Sequence, residues 1–219
     1  MNKKIKLNRY IDHTLLKPDV KRIDIEKLCR EAIEYDFFGV CVNSTFIPLI
    51  SKLLEGKNPI PIAVVGFPLG ANLSSSKAFE AKEAIVNGAK EIDMVMNIGA
   101  LKDKDYEKVY EDICLVVNEV KPYPLKVIIE TAFLERDEKI LSCILSQVAK
   151  ASYIKTSTGF WDKGAVIDDI ILIKGVIGDN MKIKASGGIK RYDEAISLIE
   201  AGADRIGSSS SVNIMKKNF

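Results

Sequence analysis

Short apolar runs alternate with amphipathic segments along the whole chain, and the spacing of apolar positions switches between about two and about 3.6. The runs at 9–13, 39–42, 61–66, 91–96, 125–130, 153–156, 182–185 and 205–206 read as strands. Several, such as Ile62-Ala63-Val64-Val65 and Lys126-Val127-Ile128-Ile129, read as apolar on both faces, as in parallel sheets covered by helices on each side. Between them, 105–120 places Tyr106, Val109, Ile113, Val116, Val117 and Val120 along one stripe, with Lys108, Glu111, Asp112 and Asn118 elsewhere. Similar helical patterns occupy 26–34, 77–87, 135–149, 166–176 and 192–201, and Gly88, Gly178 and Gly202 stand where left-handed caps would end helices. Eight β/α units predict an α/β protein, a single (β/α)8 TIM barrel in one domain over residues 1–219. A doubly wound open sheet is the other arrangement the alternation allows, but the G-x-G-x-x-G turn it uses for dinucleotides is missing from the sequence.

Composition adds exclusions more than assignments. Of 219 residues, 47% are hydrophobic and 28% charged, which suits one buried core. The net charge of +2, from 32 basic and 30 acidic residues, announces neither a nucleic-acid nor a membrane partner, so attraction for anions must be local. Cys29, Cys41, Cys114 and Cys143 are widely spaced and form no C-x-x-C pair, which argues against a zinc site or a redox dithiol. The basic start at residues 1–8 is followed by no apolar stretch, and no run of about 18 apolar residues exists to span a bilayer. A cytoplasmic protein is expected, and the N-x-S/T sequons at Asn43 and Asn72 are then chance matches.

In a barrel, reacting groups belong at the carboxyl ends of strands. Lys155 lies there on the sixth run and Lys184 on the seventh, although lysine is depleted in strands and seldom fully buried without a partner. Either these lysines bend outward to surface carboxylates, or two ammonium groups share one pocket. In the second case mutual repulsion lowers a lysine pKa and frees a neutral amine to form an imine with a carbonyl. Asp93, on the face shared by Val95 and Asn97, is a buried acceptor or a proton shuttle for such chemistry. Asp12 and Thr14, flanking the sole histidine His13, are candidates for substrate hydroxyls. His13 itself fits a structural role or, less directly, a Ser-His-Asp triad. Ser74-Ser75-Ser76-Lys77 fits S-x-x-K without the companion signatures, and the serines read as a helix cap. Glycine-rich strand ends at Gly159, Ser186-Gly187-Gly188 and Gly207-Ser208-Ser209 would let backbone amides approach a phosphate.

These residues resemble the deoxyribose-phosphate aldolase family. The resemblance rests on Asp12-His13-Thr14-Leu15-Leu16-Lys17-Pro18, Val65-Gly66-Phe67-Pro68-Leu69-Gly70, Lys77-Ala78-Phe79-Glu80-Ala81, Glu91-Ile92-Asp93-Met94-Val95, Lys155-Thr156-Ser157-Thr158-Gly159, Lys184-Ala185-Ser186-Gly187-Gly188 and Gly207-Ser208-Ser209, in the family's order. It implies reversible cleavage of 2-deoxy-D-ribose 5-phosphate to D-glyceraldehyde 3-phosphate and acetaldehyde, with no metal or organic cofactor. It further implies Lys155 as the Schiff-base lysine, Lys184 as the second lysine that lowers its pKa, and Asp93 in a proton relay. Asp12, Thr14, Thr156, Gly159, Gly187, Gly188, Gly207, Ser208 and Ser209 would contact substrate. The partners implied are a sugar phosphate and an aldehyde, with a homodimer or homotetramer as the assembly. Two departures stand out: Phe160 follows the K-T-S-T-G glycine where some members have lysine, and residues 215–219 contain no tyrosine where some carry a longer tail ending in one. An aldolase or transaldolase for another sugar phosphate, and a non-catalytic sugar-phosphate sensor, are the competing readings.

Overall fold

In the computed structural model, which describes residues 5–216, the eight predicted strands close into one parallel barrel in chain order. They are β1 (Ile11–Leu15), β2 (Gly39–Asn43), β3 (Ile60–Val65), β4 (Glu91–Val95), β5 (Leu125–Ile128), β6 (Tyr153–Lys155), β7 (Lys182–Ser186) and β8 (Arg205–Ser208). β8 returns to β1, with Ile11 opposite Ile206 and Asp12 opposite Gly207, so the sheet has no edge and the open-sheet arrangement is ruled out. Around it run α1 (Arg22–Glu34), α2 (Ile47–Leu53), α3 (Ser74–Val86), α4 (Ile98–Lys102), α5 (Tyr106–Val120), α6 (Arg136–Val148), α7 (Ile167–Ile177), α8 (Tyr192–Glu200) and α9 (Ser211–Met215). No helix among the described residues is long and apolar enough to cross a membrane.

Strand residues divide by parity, as the period of two requires. Val40, Val42, Ala63, Val65, Ile92, Met94, Val127, Ile154, Ile183, Ala185 and Ile206 join the helices' apolar stripes in the main core. The alternate positions fill the barrel. On β2 and β3 these are Cys41, Ile62 and Val64, a small separate apolar cluster with Leu16. Elsewhere the interior holds Asp12, Glu91, Asp93, Lys126, Tyr153, Lys155, Lys184 and Arg205, all buried, where a barrel usually packs branched aliphatics.

Several expectations need correction. The run at 125–130 is not apolar on both faces: Lys126 is fully buried inside the barrel. A single lysine among aliphatics does not reveal which parity faces inward. β1 begins at Ile11 because Leu7–Tyr10 form a 3-10 turn instead of strand. α2, α4 and α9 have only seven, five and five residues, too few for a helical period to stand out. Ser74, Ser75 and Ser76 lie within the first turn of α3, whose N-cap is Leu73 without a side-chain cap bond, so the serines do not cap it. Lys77 is buried and donates to Asp112 Oδ2 at 2.6 Å and to the Val95 carbonyl at 3.0 Å, tying α3 to α5 and to the end of β4. The tail lacking tyrosine lies partly outside the described residues, from 217 onward.

Candidate active site

At the carboxyl ends of the strands a cavity of about 200 Å³ opens between the segments that follow β1, β6, β7 and β8. Thr14 and Lys17 line it from β1, Lys155, Thr158, Gly159 and Phe160 from β6, Ser186, Gly187, Gly188 and Lys190 from β7, and Gly207, Ser208 and Ser209 from β8. Gly159, Gly187 and Gly188 have φ of +84°, +88° and +76°, the left-handed region that a Cβ disfavours.

Beneath this cavity the interior charges form a closed ring. Lys184 Nζ lies 2.5 Å from Asp12 Oδ2 and 2.7 Å from Asp93 Oδ2. Asp12 Oδ1 meets Arg205 Nη1 at 2.9 Å, and the same nitrogen lies 3.4 Å from Glu91 Oε2. Lys126 Nζ then bridges Glu91 Oε2 at 2.6 Å and Asp93 Oδ1 at 2.7 Å. Three cations and three carboxylates alternate around it. Lys155 hangs from the ring by one carboxylate contact, Nζ to Asp93 Oδ2 at 2.9 Å, and of the seven it alone lines the cavity.

Taking each ion out of water costs several kcal/mol, and here shared counter-ions offset that penalty. Burial by itself would raise Asp93, yet Lys126, Lys155 and Lys184 hold its carboxyl well below the usual range. Burial would also raise Asp12, which Lys184 and Arg205 pull down. Lys184 shows the converse: burial favours its neutral form, but Asp12, Asp93 and Cys41 outweigh burial and raise it above an ordinary lysine. At the far end Arg205 stacks on the Phe38 ring, 3.2 Å from its centroid, and donates to Tyr153 Oη at 3.2 Å.

The strand register sets Lys155 beside Lys184, but Asp93 Oδ2 stands between the two amines, so they do not face each other unshielded. Thr14, Gly159, Gly187, Gly188, Gly207, Ser208 and Ser209 line the cavity. Asp12 and Thr156 do not: Asp12 is buried against Lys184 and Arg205, and Thr156 Oγ1 donates to the Ser186 carbonyl and accepts from its N–H, stitching β6 to β7. Asp93 touches the cavity only through Lys155. His13 Nε2 pairs with Glu31 Oε2 on α1 at 2.9 Å, away from the cavity wall. Among the described residues no cluster of His, Cys, Asp or Glu could hold a metal ion.

Sequence reasoning missed Lys126, Glu91 and Arg205. Glu91 and Asp93 share a face by strand period, a signal that was available. Lys126 sits in register with Asp93, which only the pairing of β4 with β5 reveals.

The profile of the DeoC/LacD family aldolases matches residues 7–217. The chain is 52% identical to a deoxyribose-phosphate aldolase of Finegoldia magna over 97% of this chain and all of that protein. Against the deoxyribose-phosphate aldolase of Clostridium tetani the identity is 49%, covering 98% and 100%. Among solved structures, an aldolase called QR15 superposes with a TM-score of 0.94 at 39% identity, covering 97% of this chain and 96% of that one. The tetrameric deoxyribose phosphate aldolase of Aeropyrum pernix superposes with a TM-score of 0.90 at 32% identity, covering 96% and 89%.

Proposed function

The chain belongs to the DeoC/LacD family of aldolases, and from that footing we propose that it cleaves 2-deoxy-D-ribose 5-phosphate reversibly through a Schiff base on Lys155, giving D-glyceraldehyde 3-phosphate and acetaldehyde. One observation carries this reading. Lys155 is the single member of the buried charge cluster that reaches the cavity, and the ring beneath it is neutral without it. The Lys155 amine is therefore the one nucleophile of that cluster that a carbonyl entering the cavity can meet.

The chemistry follows from that amine. Lys155 Nζ adds to the aldehyde carbon C1 of the open-chain sugar, and the carbinolamine loses water to give a protonated imine. A base takes the C3 hydroxyl proton, the C2–C3 bond breaks, and its electron pair moves toward the imine nitrogen. Glyceraldehyde 3-phosphate leaves, and the enamine of acetaldehyde remains on Lys155. Protonation at C2 and addition of water then release acetaldehyde and restore the amine. Asp93, whose Oδ2 is shared by the Lys155 and Lys184 amines, is suited to pass protons between them. Lys184, held as an ammonium by two carboxylates, supplies a fixed positive charge next to the developing imine. Asp12 then serves to hold Lys184, a change from the substrate contact expected of it. The phosphate would sit against the amides of Gly187, Gly188 and Ser209, with Lys17 and Lys190 in the same wall supplying the charge that Phe160 does not.

The same reading includes one catalytic domain, a cytoplasmic setting and a dimer or tetramer; sedimentation would give the assembly directly. For the chemistry, the protein is incubated with deoxyribose 5-phosphate, reduced with borohydride and mapped by peptide mass spectrometry. An adduct on Lys155 supports the mechanism, one on Lys184 exchanges the two lysines' roles, and none on folded, ligand-binding protein sinks the proposal.

A further inference from the structure

Glu130 follows β5 with φ +51° and ψ +71°, a left-handed conformation strained for a residue with a Cβ. Its side chain is completely buried. Thr158 donates twice to Oε2, from its N–H at 3.0 Å and from Oγ1 at 2.5 Å. The other oxygen, Oε1, has no hydrogen-bond partner among the described residues. Burial raises this carboxyl above its ordinary value, against the Thr158 bonds and the charge of Lys155. A buried carboxyl with an unmatched oxygen on a strained backbone weakens a fold, so what it gains must lie in what it positions.

What it positions is one end of the loop that walls the cavity. Thr158 Oγ1 accepts from the Phe160 N–H at 3.2 Å, which ties the start of the loop to Glu130. The other end rests on Gly187: Ala165 N–H donates to the Gly187 carbonyl at 3.1 Å, and a Cβ on Gly164 would fall 2.1 Å from that oxygen. Residues 159–163 are thus held at both ends, and Gly159 stands across from Gly187, where a Cβ on Gly159 would make an ordinary van der Waals contact, 3.6 Å from the Gly187 Cα.

We infer that Glu130 is a positioning residue for the phosphate side of the cavity, holding Thr158 so that the Gly159 turn stands opposite Gly187 and backbone amides from both loops converge on the anion. This rests on the sugar-phosphate reading above. The substrate class it serves is the phosphorylated sugar, and its contribution should vanish when the phosphate does.

Glu130→Ala, Glu130→Gln and Thr158→Val are assayed with 2-deoxyribose 5-phosphate and with unphosphorylated 2-deoxyribose, using inorganic phosphate as competitor. Glu130→Ala should raise KM for the phosphorylated sugar and Ki for phosphate by about tenfold, the worth of one charge-assisted hydrogen bond. The value of kcat should move by less than about threefold, and kcat/KM for the unphosphorylated sugar should fall far less than for the phosphorylated one. Glu130→Gln should recover most of the loss, because its amide oxygen can accept both Thr158 bonds. Should Glu130→Ala not fold, Thr158→Val, which removes the hydroxyl's bonds to Glu130 and from the Phe160 N–H but keeps the Thr158 N–H bond to Glu130, should show the same split. Equal losses on both sugars, or a fall in kcat with KM and Ki unmoved, would overturn the inference. A wild-type protein that neither prefers the phosphorylated sugar nor is inhibited by phosphate would bring down the sugar-phosphate reading. Wild-type discrimination that persists unchanged in Glu130→Ala would bring down the Glu130 inference alone.

Discussion

Gly207 and Lys184 approach so closely across β7 and β8 that a Cβ on Gly207 would lie 2.9 Å from Lys184 Cε. Lys184 has no room to yield, because Asp12 and Asp93 hold its Nζ from two sides and the side chain is fully buried. Glycine here has no need of a left-handed φ. It is the one residue that leaves space for the lysine.

Gly207→Ala should therefore displace Lys184 and strain β8. Overpacking of this kind costs about 1–3 kcal/mol, or a fall of about 2–4 °C in Tm for each kcal/mol at this chain length. Activity should fall by more than the folded fraction does, because Lys184 moves relative to Asp93. Thermal melts paired with kcat measure both, and a variant with wild-type kcat and Tm would refute the packing argument.

Lys184→Leu opens the ring and leaves Asp12 and Asp93 each short of a cation. Breaking a buried pair from one side costs about 3–5 kcal/mol. The same change removes the positive charge beside Lys155, so the rising limb of kcat/KM against pH should move to higher pH while kcat falls. An unaltered profile in folded variant protein would take Lys184 out of the nucleophile's activation.

Acid should unfold the protein in two stages. The folded pKa of His13 is depressed from 6.5 by burial, so its contribution is present above pH 6.5 and drains away as pH falls below that value. Asp12 and Asp93 are depressed from 3.8, so their larger contribution holds above pH 3.8 and is lost below it. Glu130 opposes them in sign: raised from 4.5, its carboxyl favours the fold when protonated, and this contribution fades as pH rises through its folded pKa. Urea titrations across pH 3–7 should show a shallow decline and then a steep one, each fully engaged proton changing stability by about 1.4 kcal/mol per pH unit. His13→Asn should erase the shallow stage and spare the steep one.

The fold was legible because its grammar is local. Alternation of the apolar runs with stripes such as that of 105–120 needs only residues near each other in sequence, and eight such units permit few closures. Short helices escaped for the same reason: seven residues of α2 and five of α9 hold no full pattern. The lysines at two strand ends stood out because a lysine there contradicts its surroundings. Lys126 did not, since one lysine early in an aliphatic run does not show which face of the strand turns inward.

What the sequence determined by itself was the barrel, the two suspect lysines on neighbouring strands and the glycine-rich segments that follow them. These are properties of local pattern, and local pattern survives without coordinates. Tertiary structure alone decided that Asp93 stands between Lys155 and Lys184, that Asp12 and Arg205 close a ring of alternating charge, and that Glu130 holds Thr158. The reason is that ionic partnership depends on distances between strands, and closing the barrel brings Asp12 and Arg205, 193 positions apart, to 2.9 Å.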